Sequence, residues 1–484
     1  MKMTGYMYYD GQWQKSISGS TYVVNDPASG KKINDVFLGE REDVALAINS
    51  AERGFKAWSK MTAMERSIPL YNAYKLLIER KDHIARILTK EQGKPLAEAQ
   101  GEIIQAAEFL RWYSEEAKRI YGEIIPASTA NKRAHVIRQP IGVVAAITPW
   151  NFPASMITRK IAPALAAGCS VVVKPAEATP LTAIALFEVF HESGFPKGVL
   201  NLVIGDGSTM GTEFLENRKV KKIAFTGSTR VGKQLISGSA EQVKKVSLEL
   251  GGHAPFIVFS DADIDHAVEA CIISKYRNAG QTCICTNRIY VQEDIEEIFS
   301  SKLAKRVQSL QLGHGLEDNI EIGPLINESA YRKVQEHVED ALAKGGKLLT
   351  GGGRKLIDGM AGFFYEPTLI SNANDQMKIC NEETFGPVAP IIKFKSEEEV
   401  IEAANNSVYG LAAYVFTHDL GRTYRVGEAL EYGIIGINDA LPGAPQVPFG
   451  GWKESGIGRE GGHYGLDAFL EIKYISIELN ESEK

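Results

Sequence analysis

From residue 141 onward the chain alternates short β-branched runs with longer stretches of helical spacing, and this alternation limits the fold more than any other feature. Residues 142–147 read as a strand, 155–167 as a helix and 170–174 as a strand. Residues 181–192 follow as a helix, 199–204 and 222–226 as strands, and 230–239 as a helix. Strand–helix alternation with connections this short implies βαβ units, hence an α/β fold with a parallel sheet covered on both faces.

Ahead of this run, residues 43–58, 63–79 and 82–91 carry apolar residues at helical spacing and read as helices that buttress the sheet. After Gly251 and Gly252 the pattern restarts, with strands expected at 256–259 and 288–291 and helices at 264–276 and 295–310. A chain of 484 residues is too long for one core. The expected division is 1–121 with 141–251 as one domain and 252–451 as a second. Segments 122–140 and 464–484 form a third, small unit. Within it, residues 133–138 and 470–477 alternate apolar and polar positions as half-buried strands do. Such a ribbon is marginal alone, so these strands are expected to pair outside their own domain, most naturally with another subunit.

A net charge of −6 gives the whole molecule no attraction for nucleic acid or for an anionic membrane. The most apolar stretch, residues 141–147, is far too short to span a bilayer, and the N-terminal residues lack a signal-peptide apolar region. Five cysteines, an odd number in a long chain, argue against a disulfide framework and for a reducing compartment, with cytoplasm as the expectation.

Chemistry points to one of those cysteines. Cys283 ends Asn278-Ala-Gly-Gln-Thr-Cys283, a polar loop whose small residues suggest a turn that a substrate can approach closely. Cys169, Cys271 and Cys380 read as small buried hydrophobes. Cys285 makes a Cys-x-Cys pair with Cys283, but no second pair or histidine cluster completes a zinc site, so no metal is expected. Glu249, in Ser247-Leu-Glu-Leu-Gly-Gly252, ends a strand against two glycines that leave its carboxylate room to move. Gly456-Ile-Gly-Arg-Glu-Gly461 matches a dinucleotide fingerprint literally, yet only 23 residues follow it (484 − 461), too few for the βαβ unit that reading requires. It is expected to shape a turn near the substrate mouth. Thr226-Gly-Ser-Thr-Arg-Val-Gly232 closes a strand and opens a helix, where free N–H groups can meet phosphate.

Five motifs, in order along nearly the whole chain, resemble the aldehyde dehydrogenase superfamily. They are Pro149-Trp-Asn-Phe-Pro153, Phe225-Thr-Gly-Ser-Thr229, Leu248-Glu-Leu-Gly-Gly252, Gly280-Gln-Thr-Cys283 and Glu383-Thr-Phe-Gly-Pro387. The resemblance implies a Rossmann-like cofactor domain, a second α/β catalytic domain and a small β oligomerisation ribbon, assembled as a homodimer or homotetramer. It implies Cys283 as nucleophile, Glu249 as general base and Asn151 as oxyanion stabiliser. The cofactor is expected to be NAD, with NADP open. Gly227, Ser228 and Gly232 are implied at the pyrophosphate, Lys174 and Glu177 at the adenine ribose, Trp150 and Gly207 on the adenine side, and Glu383 at the nicotinamide ribose. Thr148, Pro149, Asn151, Glu249, Leu250 and Phe385 complete that set. Glu177 can accept from both ribose hydroxyls and would repel a 2′-phosphate, whereas Lys174 could pair with one.

These residue types suit aldehyde oxidation. Thiolate addition turns a planar carbonyl into a tetrahedral thiohemiacetal that can lose hydride, and water must then hydrolyse the thioester. Arg159 and Arg277 flank the reaction centre and, with Phe449, form the expected substrate site; two guanidiniums suit an aldehyde with a distal carboxylate. This resembles succinate-semialdehyde dehydrogenases. One departure is that Gly443 stands where that subfamily usually carries a carboxylate-binding serine, which leaves glutarate semialdehyde or another short ω-carboxy or aliphatic aldehyde open. A reversible Cys283–Cys285 link under oxidation is a further expectation. The competing readings are a coenzyme-A-acylating enzyme, a proline-pathway glutamate-semialdehyde dehydrogenase and a non-catalytic protein that kept the fold.

Overall fold

The computed structural model describes residues 5–479, so the first four and last five residues of the expected domains lie outside the described residues. The strand–helix alternation folds as an eight-stranded sheet. Its parallel centre runs Leu200–Leu202, Ser170–Lys174, Val143–Ile147, Val220–Thr226 and Lys245–Glu249. Val143–Ile147 and Ser170–Lys174 are almost wholly buried, as strands covered on both faces must be. Between them the helix Ser155–Ala167 stops where Gly168 adopts φ +98°, a left-handed conformation glycine takes without strain.

A seven-stranded sheet follows, ordered Lys347–Thr350, Thr368–Ser371, Val388–Phe394, Thr286–Gln292, Ala254–Val258, Ala412–Phe416 and Ile434–Ile437. It is parallel apart from its first pair. The crossover from Ala254–Val258 to Thr286–Gln292 is the helix Ile264–Tyr276, so Cys283 sits on the return loop where helix gives way to strand.

Three features depart from the sequence reading. The 21-residue helix Leu96–Glu116 was not anticipated, because its buried stripe of Ile103, Ala106, Ala107, Leu110 and Tyr113 is interrupted by two buried glutamates, Glu102 and Glu116, that read as surface. Strands Lys132–Pro140 and Leu470–Glu478 were expected to pair outside their own unit. Instead they pair with each other over nine positions, and Glu123–Ile125 adds a third strand. Their complementary registers satisfy the backbone locally and leave Leu470–Glu478 as an edge. Third, Gly456–Ile457, beyond the expected second domain, returns to the first sheet and pairs antiparallel with Leu248 and Glu249. Only glycine fits there, since a Cβ on Gly456 would stand 2.2 Å from the Leu248 carbonyl oxygen. Among the described residues no helix is long and apolar enough to cross a membrane, and no group of acidic, histidine or cysteine side chains could hold a metal ion.

Candidate active site

A cavity of about 430 Å3 opens between the two sheets, and Cys283, Thr282, Arg159, Arg277, Phe152 and Phe449 are on its wall. The sequence scattered these residues over 297 positions (449 − 152); the loop after Tyr276, the helix Ser155–Ala167 and the segment before Gly450 bring them together. Asn278 and Ala279 adopt φ +53° and +54°, and this left-handed kink turns the chain so that Cys283 faces the cavity. Cys285 does not line it: its buried thiol lies against the Lys275 and Thr286 carbonyl oxygens. Cys169, Cys271 and Cys380 are buried apart from the cavity wall.

Behind the wall the polar groups are tied together. The Asn151 side-chain amide donates to the Gln281 carbonyl at 3.0 Å, and the Asn278 amide donates to the Asn151 carbonyl at 3.0 Å. Lys94, fully buried, donates to Glu102 at 2.6 Å and to the Asn151 carbonyl at 2.8 Å, and lies 3.8 Å from the Phe152 ring centre. Glu102 accepts the first N–H groups of the following helix, Ala154 at 2.8 Å and Ser155 at 3.2 Å. Asn151 itself is buried behind the wall, with Oδ1 unpartnered.

Burial pushes the Cys283 thiol up to about 12, and Arg159 is the strongest counter-pull, so the resting thiol is protonated at neutral pH. Arg159 itself is buried, 3.8 Å over the Phe449 ring, with Nε 3.0 Å from Glu460 Oε2. That N–H is not aligned on the carboxylate, and Arg159 Nη2 has no partner. Lys160 also donates to Glu460 and to Thr226. Burial tends to raise Glu460, but Lys160 and Arg159 outweigh it and hold the carboxylate below its ordinary value. Glu249 moves the opposite way: burial, reinforced by Glu460, raises it well above the usual carboxylate range. It is not on the cavity wall; its Oε2 is unpartnered, and its Oε1 lies close beside Gly450, the neighbour of Phe449.

None of the implied cofactor residues lines this cavity. Lys174 Nζ and Glu177 Oε1 pair at 2.8 Å, and a Cβ on Gly207 would lie 3.6 Å and 3.7 Å from those atoms. Gly227 donates its N–H to the Glu249 carbonyl, Ser228 caps the helix Thr229–Ala240, and Gly232 packs on Leu250, which would collide with any Cβ there. Glu383 accepts the Gly252 N–H at 2.9 Å, Trp150 and Phe385 meet edge to face at 5.7 Å, and Thr148 Oγ1 is buried without a partner. Pro149 joins Thr148 to Trp150 in the same turn, after strand Val143–Ile147. The orphaned Thr148 hydroxyl, side-chain-free Gly207 beside Lys174 and Glu177, and the Glu383 carboxylate fit a ligand that carries phosphates and hydroxyl-bearing sugars.

The aldehyde dehydrogenase family profile matches residues 13–475. The chain belongs to the aldehyde dehydrogenase family. A glutarate-semialdehyde dehydrogenase of Pseudomonas putida is 52% identical over 98% of this chain and 97% of its own length. The succinate-semialdehyde dehydrogenase [NADP(+)] of Escherichia coli is 51% identical over 97% of each. The solved structure of succinate-semialdehyde dehydrogenase from Burkholderia pseudomallei superposes with a TM-score of 0.97 at 51% identity, covering 99% of this chain and 98% of that one. As an aldehyde dehydrogenase this chain has polar residues the sequence reading missed, namely Glu98 and Glu102 on the cavity wall and Lys94, Lys160 and Glu460 behind it. The spacing of four between Glu98 and Glu102 would have placed both on one helix face. Glu460 lies in the glycine-rich turn expected near the substrate mouth, but nothing local pairs it with Lys160, 300 positions away.

Proposed function

We propose that this aldehyde dehydrogenase oxidises a short ω-carboxy aldehyde, succinate semialdehyde in the first instance, to the dicarboxylate. The observation that carries this reading is the single cavity that has Cys283 and two guanidiniums, Arg159 and Arg277, on its wall. Arg277 is matched by no ion pair among the described residues and Arg159 keeps Nη2 unpartnered, so both can take a distal carboxylate. Each such charged hydrogen bond contributes about 1.5–3 kcal/mol.

In the proposed mechanism Cys283 loses its proton and adds to the aldehyde carbon. The second N–H of the Asn151 amide and the Cys283 backbone N–H stabilise the resulting oxyanion, and loss of one such donor costs about 2.7–4 kcal/mol of barrier. Glu249 then draws a proton from the water that hydrolyses the thioester. Its raised pKa makes the ionised carboxylate a stronger base. NAD, or NADP, would be held by Lys174, Glu177 and Gly207 at one end, by Gly227, Ser228, Gly232 and Leu250 along the middle, and by Glu383 and Phe385 at the other, with Thr148, Pro149, Trp150, Asn151 and Glu249 beside it. Bound there, the dinucleotide supplies the hydride acceptor. Glu177 occupies Lys174 in an ion pair, which supports NAD; the E. coli relative's name supports NADP.

Glutarate semialdehyde is a second reading with its own support. A Cβ at Gly443, on the cavity wall, would meet no atom within 4 Å, so the wall has room for one more methylene. The proposed domains are 1–121 with 141–251 for the cofactor, 252–451 for catalysis, and 122–140 with 464–484 for self-association. Exposed Ile472, Tyr474, Ile124 and Ile125 on an open-edged ribbon support a homodimer or homotetramer. A reducing, cytoplasmic setting suits five unpaired cysteines.

The test is reduced-cofactor formation with succinate semialdehyde, glutarate semialdehyde, acetaldehyde and lactaldehyde side by side. The two carboxylated substrates are expected to lead in kcat/KM, and Cys283→Ala to abolish turnover with all four while cofactor binding persists. Turnover retained in the alanine variant would refute the covalent mechanism.

A further inference from the structure

Glu98 lies on the wall of the same cavity as Cys283, Arg159 and Arg277, in the first turn of the helix Leu96–Glu116, and the mechanism above gives it no task. Its Oε2 accepts the Asn278 N–H at 2.9 Å. The other carboxylate on that wall, Glu102, is fully occupied by Lys94 and by the Ala154 and Ser155 N–H groups. The charged groups facing Glu98 are Lys94 and Glu102 from its own helix and the segment before it, and Arg277 from the turn after Ile264–Tyr276. Lys94 is already committed to Glu102 and the Asn151 carbonyl. Arg277 is therefore the cation left to Glu98, and it is also the cation left to a carboxylated ligand.

We propose that Glu98 is a specificity-determining residue that competes with the substrate carboxylate for Arg277, so that capture of an ω-carboxy aldehyde is accompanied by uptake of one proton at Glu98. The inference rests on reading Arg277 as the carboxylate partner. The balance is simple: the proton comes from solvent, no covalent bond to carbon changes, and the neutral carboxyl group can then donate a hydrogen bond to the bound carboxylate. Burial pushes Glu98 up to about 7 although Lys94 and Arg277 pull it down, which sets the exchange in the neutral range. Above that pH the charge of the ionised side chain offsets that of Arg277 across the cavity and repels a second carboxylate. Below it Arg277 is free.

The experiment measures KM and kcat from about pH 6 to about pH 8.5, at saturating cofactor, for succinate semialdehyde and for butyraldehyde, its uncharged counterpart of equal length. The KM for succinate semialdehyde is expected to rise about thirtyfold across that range, the change that uptake of one proton at a group of pKa about 7 gives. The KM for butyraldehyde should stay within about a factor of two, since no carboxylate competes. Glu98→Gln should flatten the succinate-semialdehyde profile, and Glu98→Asp should retain a slope. Equal profiles for the two aldehydes in the unmodified enzyme overturn the proposal, as does an unchanged slope in Glu98→Gln. Arg277→Met separates the two levels of argument. If it raises the KM for succinate semialdehyde while Glu98→Gln changes nothing, only the role of Glu98 falls. If it leaves that KM unchanged, the carboxylate site falls as well.

Discussion

Two buried charged regions meet at Cys283, and they differ in how fully their polar atoms are satisfied. On one side the charges of Lys94 and Glu102 are paired, and with Asn278 they hold the Asn151 carbonyl and the first N–H groups of the next helix, leaving only the neutral Asn151 Oδ1 unmet in that network. On the other, around Glu249, Arg159 and Glu460, charges of both signs are just as buried, yet Glu249 Oε2, Arg159 Nη2 and Glu460 Oε2 have no hydrogen-bond partner. A buried polar atom left unpaired costs about 1–3 kcal/mol, a cost that a ligand, water or reacting group can relieve. The satisfied region is a frame. The unsatisfied one is where proposed chemistry sits.

The sharpest break of that comparison is Glu249→Gln. It should leave the frame and the first, acylating step intact, giving a burst of reduced cofactor near one equivalent per site. Steady-state turnover should then fall about 10²–10⁴-fold, the range for a general base. The unmodified enzyme should gain kcat as pH rises, because burial raises both Cys283 and Glu249 and each must lose a proton to act. A loss of the burst along with turnover would move Glu249 into the first step. Next in size, Lys94→Met strips the frame of its cation and leaves Glu102 buried and unpaired, which should lower unfolding stability by about 3–5 kcal/mol in urea titration. A variant as stable as the parent would show that the frame does not depend on that charge. Smallest is Lys233→Met: its exposed pair with Glu454 should change stability by less than about 1 kcal/mol. A larger loss there would undo the contrast between buried and surface charge.

Several parts of this arrangement were legible in the chain. The helices Ser155–Ala167, Ala63–Glu79 and Ile264–Tyr276 match the residues expected from apolar spacing, because each buries a continuous stripe or, in the first case, every residue. Cys283, Arg159, Arg277 and Phe449, singled out by motif and position, line one cavity. The helix Leu96–Glu116 escaped notice because burial of Glu102 depends on Lys94 and on the helix it caps, neither of which a hydrophobic pattern reports. The partner of the strand at 133–138 was likewise hidden, since it lies more than 330 residues away and alternation alone states no partner.

The chain by itself determined its α/β class, the family it joins and the side chains able to attack, because those depend on local spacing and on residue type. Which buried charges are neutralised and which stand unmet was settled only in three dimensions. Lys160 meets Glu460, and Lys94 meets Glu102, through distances and desolvation that exist once the helices have packed. Proton affinity follows from that same packing, so the opposite shifts of Glu249 and Glu460 belong to the folded molecule and to no segment of its sequence.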